Sequence, residues 1–261
     1  MDVLGTLPPN WRARLTGKTI IPVTAGMSGA AVFRVVGGHG TDHYLKIATG
    51  AVADILKREI ERTEWLSAAG IPVPRILDRL AEDKVVAVAM TALDGQTAEH
   101  IARFDWRSPV AAIARAVAHL HSLPLATCPF DETLDIRLAR ARALVRAGAI
   151  DPAGFDERNA ALTPGELYER LAARPPVPED CVITHGDATL SNLILGHDGR
   201  IGFVDCGHCG RADRYVDLAL VVGELEERLG TQAGKAFAEA YGDLRWDERK
   251  AEYYRDLYEL F

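Results

Sequence analysis

The stretch HGDATLSNLILGHDGRIGFVDCG, residues 185–207, carries the polar residues around which this sequence is organised. Two short apolar runs on either side of the turn GHDGR predict a β-hairpin. Asn192 stands at the start of this hairpin and Asp205 at its end, so we expect the two side chains to face one ion. Oxygen donors with open positions suit Mg²⁺, which keeps several waters and takes further ligands from phosphates. Asp187 precedes the hairpin in a loop, where it can accept a proton from a hydroxyl group.

A cation for phosphate binding is found near the start of the chain. Lys46 lies in the apolar run YLKIA, and a lysine inside such a strand is costly unless its charge is used. Glu59 on the following predicted helix can pair with Lys46, and Glu61 and Glu64 are competitors for that role. A strand lysine, a helix glutamate, a loop Asp followed by an Asn, and a second Asp after a hairpin are the parts used by protein kinases. The pattern therefore predicts phosphoryl transfer.

Two further segments are candidates for nucleotide contacts. The stretch TAGMSGAAVF joins the first two predicted strands, and its glycines and Ser28 can bring backbone amides and a hydroxyl to phosphate oxygens. The stretch VAMTALDG connects the sheet-rich and helical parts of the chain. We expect backbone groups at Thr91 and Leu93 to bond an adenine, with Tyr44 or Met90 as its apolar cover.

The predicted elements give an α+β fold that changes character near residue 95. Apolar, β-branched runs bounded by Gly or Pro predict an antiparallel sheet with one inserted helix in the first part. Apolar residues at helical spacing predict a mainly helical second part that contains the hairpin. The expected strands are 19–24, 31–36, 43–48, about 75–80 and 85–93, and the expected helices are 52–69, 108–123, 133–147, 164–173, 214–229, 231–241 and 247–260.

Composition limits the class of protein. The chain has 261 residues, 48% of them hydrophobic, which is enough for one large domain or two lobes. We find no apolar run long enough for a bilayer, and the start MDVLGTLPPNWRARL lacks a signal pattern. The four cysteines form no disulfide framework, which favours a reducing compartment. We therefore expect a cytoplasmic protein with no membrane partner.

Charge is unevenly distributed along the chain, whose net charge is −7. Residues 1–150 hold 18 Lys and Arg against 15 Asp and Glu, whereas residues 151–261 hold 12 against 22. A basic first part suits a nucleotide phosphate. An acidic second part suits a cationic partner and argues against nucleic acid, although a solvated acidic surface would have the same composition.

Longer motifs carry a family resemblance. The stretches CPFDETLDIRLARA, GFDERN and GRADRYVDLAL and the ending YELF resemble the aminoglycoside 3′-phosphotransferases, which are kinase-like antibiotic phosphotransferases. The similarity runs in order over nearly the whole chain. The shorter HGD and DCG motifs are shared with related small-molecule kinases, whereas GRADRYVDLA and the acidic, aromatic end are more specific.

This resemblance implies a bilobal protein-kinase-like fold, ATP with Mg²⁺, and transfer of the γ-phosphate to the 3′-hydroxyl of drugs such as kanamycin, which gives antibiotic resistance. It implies an N-terminal nucleotide-binding lobe over 1–94, with a hinge at about 91–94, and a C-terminal catalytic and aminoglycoside-binding lobe over 95–261. The implied roles are Asp187 as catalytic base, Asn192 and Asp205 as Mg²⁺ ligands, Lys46 on the α- and β-phosphates paired with Glu59, and Met27 and Ser28 in the phosphate-covering loop. The implied drug-binding residues are Asp156, Glu157, Glu227, Glu259 and Phe261 with its terminal carboxylate.

Three other readings stay open at this point. Cys206-x-x-Cys209 beside His208 and His185 could hold zinc or do redox chemistry, although the usual second ligand pair is missing. The chain could bind a nucleotide without catalysis, or it could phosphorylate another small hydroxylated metabolite. For an aminoglycoside kinase we expect a monomer or a weak dimer.

Overall fold

The computed structural model describes residues 3–23, 29–37, 42–82, 84–242 and 244–261, and its chain divides into two compact units. The first unit contains Met1–Gly95 and Gly202–Gly207. The second unit contains Gln96–Ile201 and His208–Phe261. The expected α+β class, with an antiparallel sheet first and a mainly helical part afterwards, is confirmed.

The first unit is built on a five-stranded antiparallel sheet in the order β1-β2-β3-β5-β4. The central strand β3 lies between β2 and β5, where Lys46 is opposite Val32 on one side and Val88 on the other. This central position accounts for the burial of Lys46. The elements are α1 (Pro9–Leu15), β1 (Thr19–Val23), β2 (Ala31–Val36), β3 (His43–Thr49), α2 (Ala51–Ala68), β4 (Ile76–Glu82) and β5 (Val85–Thr91).

Helix α2 packs one face on this sheet. Leu56 and Ile60 are four residues apart, so they share a face of the helix. Both are buried in a cluster with Val86 and Val88 of β5. The helix ends before Gly70, whose φ of +82° suits glycine, and the next amide returns to the Leu66 carbonyl. The packing fixes which side chains of α2 face the sheet.

The segment Gly202–Gly207 joins the first unit through backbone and side-chain contacts. The Phe203 amide donates to the Pro72 carbonyl at 2.8 Å, and Phe203 is 1% exposed. A Cβ on Gly202 would lie 2.6 Å from Leu93 Cδ1, so only glycine fits there without movement. These contacts place Asp205 in the unit that holds Lys46.

The second unit consists mainly of helices. Short β7 pairs antiparallel with β10, and β6 pairs antiparallel with β8. The elements are β6 (Gln96–Thr97), α3 (Arg107–His121), α4 (Leu134–Ala147), α5 (Pro164–Ala172), β7 (Cys181–Thr184), β8 (Leu193–Leu195), β9 (Ile201–Phe203, which crosses the division), β10 (Gly210–Asp213), α6 (Tyr215–Leu229), α7 (Thr231–Tyr241) and α8 (Glu248–Tyr258).

One apolar core of the second unit is formed by α4, α5, α6 and α8. Leu134, Leu167, Ala219 and Leu257 are each at most 4% exposed and belong to one apolar cluster. Helix α5 begins at a capping box, in which the Thr163 hydroxyl and the Glu166 carboxylate satisfy each other's backbone amides. The cluster holds the C-terminal helix against the rest of this unit.

Helix α1, the two-residue strand β6 and strand β10 differ from the sequence expectation. Helix α1 was not expected, because its seven residues are too short to show a helical repeat; Pro9 begins it and Trp11 is buried. Strand β10 was not expected either, because GRAD has low strand propensity and forms a strand through pairing with β7 and a bridge between Arg211 and Asp131. In the described part of the chain, no helix combines the length and apolar character needed to cross a membrane.

Candidate functional site

In the first unit, one ammonium group lies between two carboxylates. Lys46 Nζ donates to Glu59 Oε1 at 2.6 Å and also contacts Asp205 Oδ1. Lys46 and Glu59 are 7% and 8% exposed, whereas the Asp205 side chain is 43% exposed. Glu61 is exposed, and Glu64 pairs instead with Arg79. Strand β3, helix α2 and the turn after β9 therefore meet at the lysine.

The electrostatics of this group keep the lysine charged. Burial by itself would lower the pKa of Lys46, but the charges and hydrogen bonds of Glu59 and Asp205 outweigh it and raise that pKa. Burial raises the pKa of Glu59 although the Lys46 ammonium opposes the rise. Because Asp205 remains half-exposed, the cluster presents one accessible carboxylate next to a fixed positive charge.

Asp205 has an unusual backbone conformation. Its φ is +58°, in the left-handed region that non-glycine residues seldom adopt, at a cost of about 1–3 kcal/mol. Such strain concentrates at functional sites. Arg62 donates to the Gly207 carbonyl just beyond, which helps to hold the turn. The strained backbone and the hydrogen bond from Arg62 together indicate that the fold holds the Asp205 carboxylate in a defined position.

In the second unit, the Asp187 carboxylate is held from both of its oxygens. The loop after β7 brings Asp187 next to Asn192, whose Nδ2 donates to Asp187 Oδ2 and to the Asp187 carbonyl, both at 2.9 Å. The hydroxyl of Tyr258 at the end of α8 donates to Asp187 Oδ1 at 2.8 Å. Leu190, between Asp187 and Asn192, donates its amide to Glu224 Oε2 of α6 at 2.8 Å.

The carboxylate of Asp217 on α6 holds the backbone at the start of this loop. Its fully buried carboxylate accepts from the His185 amide at 2.7 Å, the Gly186 amide at 2.8 Å and His121 Nε2 at 3.0 Å. Burial by itself would raise the pKa of Asp217, but the His121 hydrogen bond and the other donors outweigh it and lower that pKa. An ionised Asp217 therefore fixes the two residues that precede Asp187.

Gly186 needs both its conformational freedom and its small size. Its φ is +86°, and a Cβ there would overlap the His208 carbonyl and lie 2.8 Å from a guanidinium nitrogen of Arg137. That same nitrogen donates to the Gly186 carbonyl at 3.3 Å. A side chain at this position would therefore push the backbone next to Asp187.

We expect Gly186→Ala to lower the free energy of unfolding by about 2–4 kcal/mol, because it adds overlap to left-handed strain. Gly148→Ala is the matched control: Gly148 has φ +63° with nothing within 4 Å of its Cβ position, and strain alone costs about 1 kcal/mol there. Urea unfolding of both variants measures the difference. Equal losses would mean that the crowding around Gly186 relaxes freely.

The acidic residues expected to bind a drug form part of a charged network. The Asp156 amide donates to Glu259 Oε2 at 3.3 Å, and Asn159 Nδ2 donates to Asp256 Oδ1 and Glu259 Oε1, both at 3.0 Å. Arg158 pairs with Asp156 at 2.6 Å and with Asp256 at 3.3 Å. Burial raises the pKa of Glu259, and neighbouring carboxylates contribute to the rise.

The described contacts do not place the other expected drug-binding residues in this acidic network. Glu157 and Glu227 are exposed, and the described contacts do not join them to the Asp156–Glu259 pair. The Phe261 ring is 40% exposed and lies 6.0 Å from the Arg137 guanidinium. Phe261 thus lies beside the arginine that supports the loop carrying Asp187.

The expected nucleotide contacts are described only in part. Tyr44 is half-buried on β3 opposite Met90, and Thr91 is the last residue of β5. The Thr91 amide donates to the Arg75 carbonyl at 3.0 Å. Leu93 follows β5 and is half-buried. The expected contacts from Met27 and Ser28 lie outside the described residues.

The cysteine motif does not form a metal site in the described part of the chain. The one cluster of metal-ligand side chains found there is Asp156, Asp256 and Glu259. Cys206 and Cys209 are buried, and burial raises the pKa of the Cys206 thiol. A thiol with a raised pKa is a poor ligand and a poor nucleophile.

Four residues of these networks were missed from sequence. Asp217 left a signal, since it is an acidic residue inside the apolar run RYVDLALVV, and a buried charge needs partners. Asp256 and Glu224 left none, because a carboxylate on the polar face of a helix is ordinary, and Tyr258 stood in the ending YELF with no sign of its partner. Their partners are distant in the chain, so only the folded chain brings them to Asp187 and Asn159.

Comparison with known proteins gives matches over nearly the full length. The profile of the phosphotransferase enzyme family matches residues 19–254. The chain is 36% identical to a streptomycin 3″-kinase of Streptomyces griseus, covering 91% of this chain and 90% of that protein. It is 37% identical to an aminoglycoside 3′-phosphotransferase of Streptomyces fradiae, covering 92% and 94%. The aminoglycoside phosphotransferase APH(3″)-Id from Streptomyces rimosus, solved with ADP and streptomycin, matches with a TM-score of 0.82 at 32% identity, covering 96% and 95%.

Proposed function

The chain belongs to the phosphotransferase enzyme family, and from this premise we propose that it transfers the γ-phosphoryl group of ATP to an aminoglycoside. We assign the acceptor as the 3′-hydroxyl of kanamycin-type drugs, so the enzyme would give resistance to them. The observation that carries the proposal is the 37% identity, over 92% of this chain, to an aminoglycoside 3′-phosphotransferase. The resemblance expected from the sequence motifs is thereby confirmed.

Asp187 is the proposed base of this reaction. A general base must lie within hydrogen-bonding reach of the hydroxyl that attacks, and it must be held in place. The loop that carries Asp187 is fixed by Asp217, and Asn192 orients its carboxylate. Phosphoryl transfer depends mostly on such positioning and on charge stabilisation, because little covalent chemistry falls to the protein.

We assign nucleotide binding to the first unit. Lys46 would contact the α- and β-phosphates, and its pair with Glu59 would hold it in place. The Thr91 carbonyl and the Leu93 backbone would bond the adenine, with Tyr44 as apolar cover. Met27 and Ser28 would cover the phosphates. The buried, ionised state of Lys46 supports this assignment. A buried lysine that stays positively charged can neutralise the charge of a phosphate.

The residues assigned to Mg²⁺ fit that ion by their chemistry. Asn192 uses its Nδ2 on Asp187, which leaves its Oδ1 to face a cation. Asp205 offers a half-exposed carboxylate in a strained conformation. An amide oxygen and a carboxylate are ligands that Mg²⁺ prefers, with the remaining positions left to phosphates and water. Bound Mg²⁺ would neutralise charge on the phosphates, while the protein groups orient the acceptor and take its proton.

The acidic network is the proposed site for the cationic drug. Asp156 and Glu259 lie together and, with Glu157, Glu227 and the terminal carboxylate of Phe261, would accept bonds from ammonium groups. Each exposed pair contributes only about 1 kcal/mol or less, so several are needed. Arg158 already donates a hydrogen bond to the Asp156 carboxylate, so the drug must compete with Arg158 for that group.

The test is ATP- and Mg²⁺-dependent phosphorylation of kanamycin by the purified protein, with the product located by phosphorus NMR. We expect transfer to the 3′-hydroxyl that stops when EDTA removes the metal. ATP hydrolysis without transfer to any of a panel of aminoglycosides would contradict the proposal. That result would favour a kinase of another small hydroxylated metabolite.

A second acceptor is favoured by a specific observation. The 36% identical relative from Streptomyces griseus is a streptomycin 3″-kinase, and streptomycin is bound in the similar Streptomyces rimosus structure. The same assay with streptomycin separates the two acceptors. Phosphorylation of streptomycin at the 3″-hydroxyl, with kanamycin unchanged, would replace the 3′ assignment and keep the reaction class.

Location and assembly remain predictions. We expect a cytoplasmic enzyme that is a monomer or a weak dimer, because its substrates are small molecules and neither proposed binding group needs a second chain. Cell fractionation checks the first expectation. Light scattering of the purified protein over a range of concentrations checks the second.

A further inference from the structure

Tyr258 is the residue next to Asp187 that the proposed reaction does not yet use. Its hydroxyl donates to Asp187 Oδ1 at 2.8 Å, while Asn192 donates to Asp187 Oδ2 at 2.9 Å. Each oxygen of the carboxylate thus accepts from a donor, and the two donors are 66 residues apart in the sequence. Rotation of the carboxylate about its last bond would break both hydrogen bonds, so the two donors together define its plane.

We propose that Tyr258 is a positioning residue for phosphoryl transfer. By donating a hydrogen bond to Asp187, the Tyr258 hydroxyl orients the Asp187 carboxylate toward the acceptor hydroxyl. The inference rests on the proposed function, since Asp187 is the proposed base. A carboxylate oxygen accepts more than one hydrogen bond. Oδ1 can therefore accept from the acceptor hydroxyl while Tyr258 stays in place.

The surroundings of Tyr258 suit a fixed donor. Leu257 and Leu260 on either side are 1% and 0% exposed, and Glu259 accepts from Asn159. These contacts hold the end of α8, so the tyrosine ring has little freedom to leave. Burial, together with the Asp187 charge, raises the pKa of the Tyr258 hydroxyl, which keeps its proton and donates to the carboxylate near neutral pH.

The experiment compares Tyr258→Phe with Tyr253→Phe in the full-length protein. Tyr253 lies on the same helix, is buried, and donates its hydroxyl to the Leu171 carbonyl at 3.2 Å. Both variants lose one hydrogen-bonding tyrosine hydroxyl, but only the first loses a bond to Asp187. Thermal unfolding of both shows whether each folds, and kcat and KM are measured for ATP and for the aminoglycoside that the wild type accepts.

We expect Tyr258→Phe to lower kcat by about 10- to 100-fold, since a loosened base is misplaced for part of the time. Both KM values should stay within about twofold of the wild type, because an effect confined to the transition state leaves ground-state binding unchanged. Tyr253→Phe should keep kcat. A raised aminoglycoside KM with unchanged kcat would overturn the inference and make Tyr258 a substrate contact, and no change in either constant would overturn it as well.

A separate readout distinguishes this inference from the proposed function. If the wild type phosphorylates no aminoglycoside, the acceptor class is wrong, and slow ATP hydrolysis becomes the measured reaction because water then takes the place of the acceptor. Hydrolysis that falls about 10-fold or more in Tyr258→Phe but not in Tyr253→Phe supports the positioning role. Equal hydrolysis rates in the two variants would overturn it.

Discussion

Asp187→Asn should lower kcat for phosphoryl transfer by about 10³-fold, which is within the usual contribution of a general base. The amide keeps the shape of the side chain, but it cannot take a proton from the acceptor hydroxyl. Its Oδ1 can still accept from Tyr258, whereas the new NH₂ group faces Asn192 Nδ2, which donated to the former Oδ2. We therefore expect a small loss of stability beside a large loss of rate.

The measurement is steady-state transfer to the preferred aminoglycoside, with nucleotide affinity determined by calorimetry. Asp151→Asn is a matched control, because Asp151 is an exposed aspartate of the same unit that caps a short turn, a role asparagine also fills. ATP affinity should be unchanged within about twofold in both variants, since neither residue is assigned to the nucleotide. A kcat for Asp187→Asn near the wild-type value would remove Asp187 as the base.

Asp217→Asn should be the most destabilising of the substitutions considered, lowering the free energy of unfolding by about 3–5 kcal/mol. Oδ2 accepts from the His185 amide and from His121, and Oδ1 accepts from the Gly186 amide. An asparagine has a single acceptor oxygen, so its NH₂ group would meet a donor inside the core. A buried donor left without an acceptor carries its full desolvation cost.

Chemical denaturation with two optical probes measures this loss. Asp247→Asn is the control, because Asp247 is exposed, caps α8 by accepting from the Lys250 amide, and asparagine caps a helix about as well. The transfer rate should fall together with stability in Asp217→Asn, because the backbone before Asp187 loses its anchor. A loss below about 1 kcal/mol, typical of an ordinary hydrogen bond, would contradict the anchoring role.

The stabilisation from Asp217 should also depend on pH. Its pKa is lower in the folded protein than in the unfolded chain, so its contribution is fully present above the unfolded value of about 3.9. That contribution is lost as the pH falls through the folded value. The difference in Tm between wild type and Asp217→Asn should therefore be constant near neutral pH and shrink only below about pH 4.

Local sequence patterns were sufficient to predict most of the helices and strands. Strands β1 to β3 and helix α2 were expected within two residues of their observed ends, because alternation, apolar spacing and bounding glycines are local signals. Strand β10 was not expected, because GRAD becomes a strand through pairing with segments that are distant in the sequence. The expected strand 85–93 ends at Thr91, where its ladder with β3 stops at His43.

The sequence by itself determined the chemistry that this protein can bring together. Residue type and spacing predicted five site residues, because a lysine in an apolar strand and an Asp and Asn before a hairpin can be read from the sequence: Lys46, Glu59, Asp187, Asn192 and Asp205. The choice of Glu59 over Glu61 and Glu64 needed the structure, because only the packed helix shows which of its faces meets Lys46.

The tertiary structure alone decided how these groups are held. Asp217 lies 30 residues beyond Asp187 and Tyr258 lies 71 residues beyond it, and neither separation leaves a periodic signal. Their hydrogen bonds form because α6 and α8, which carry Asp217 and Tyr258, pack into one apolar core. Burial then raises the cost of every unpaired polar atom, so the partners that hold the Asp187 loop are set by the packing of distant helices.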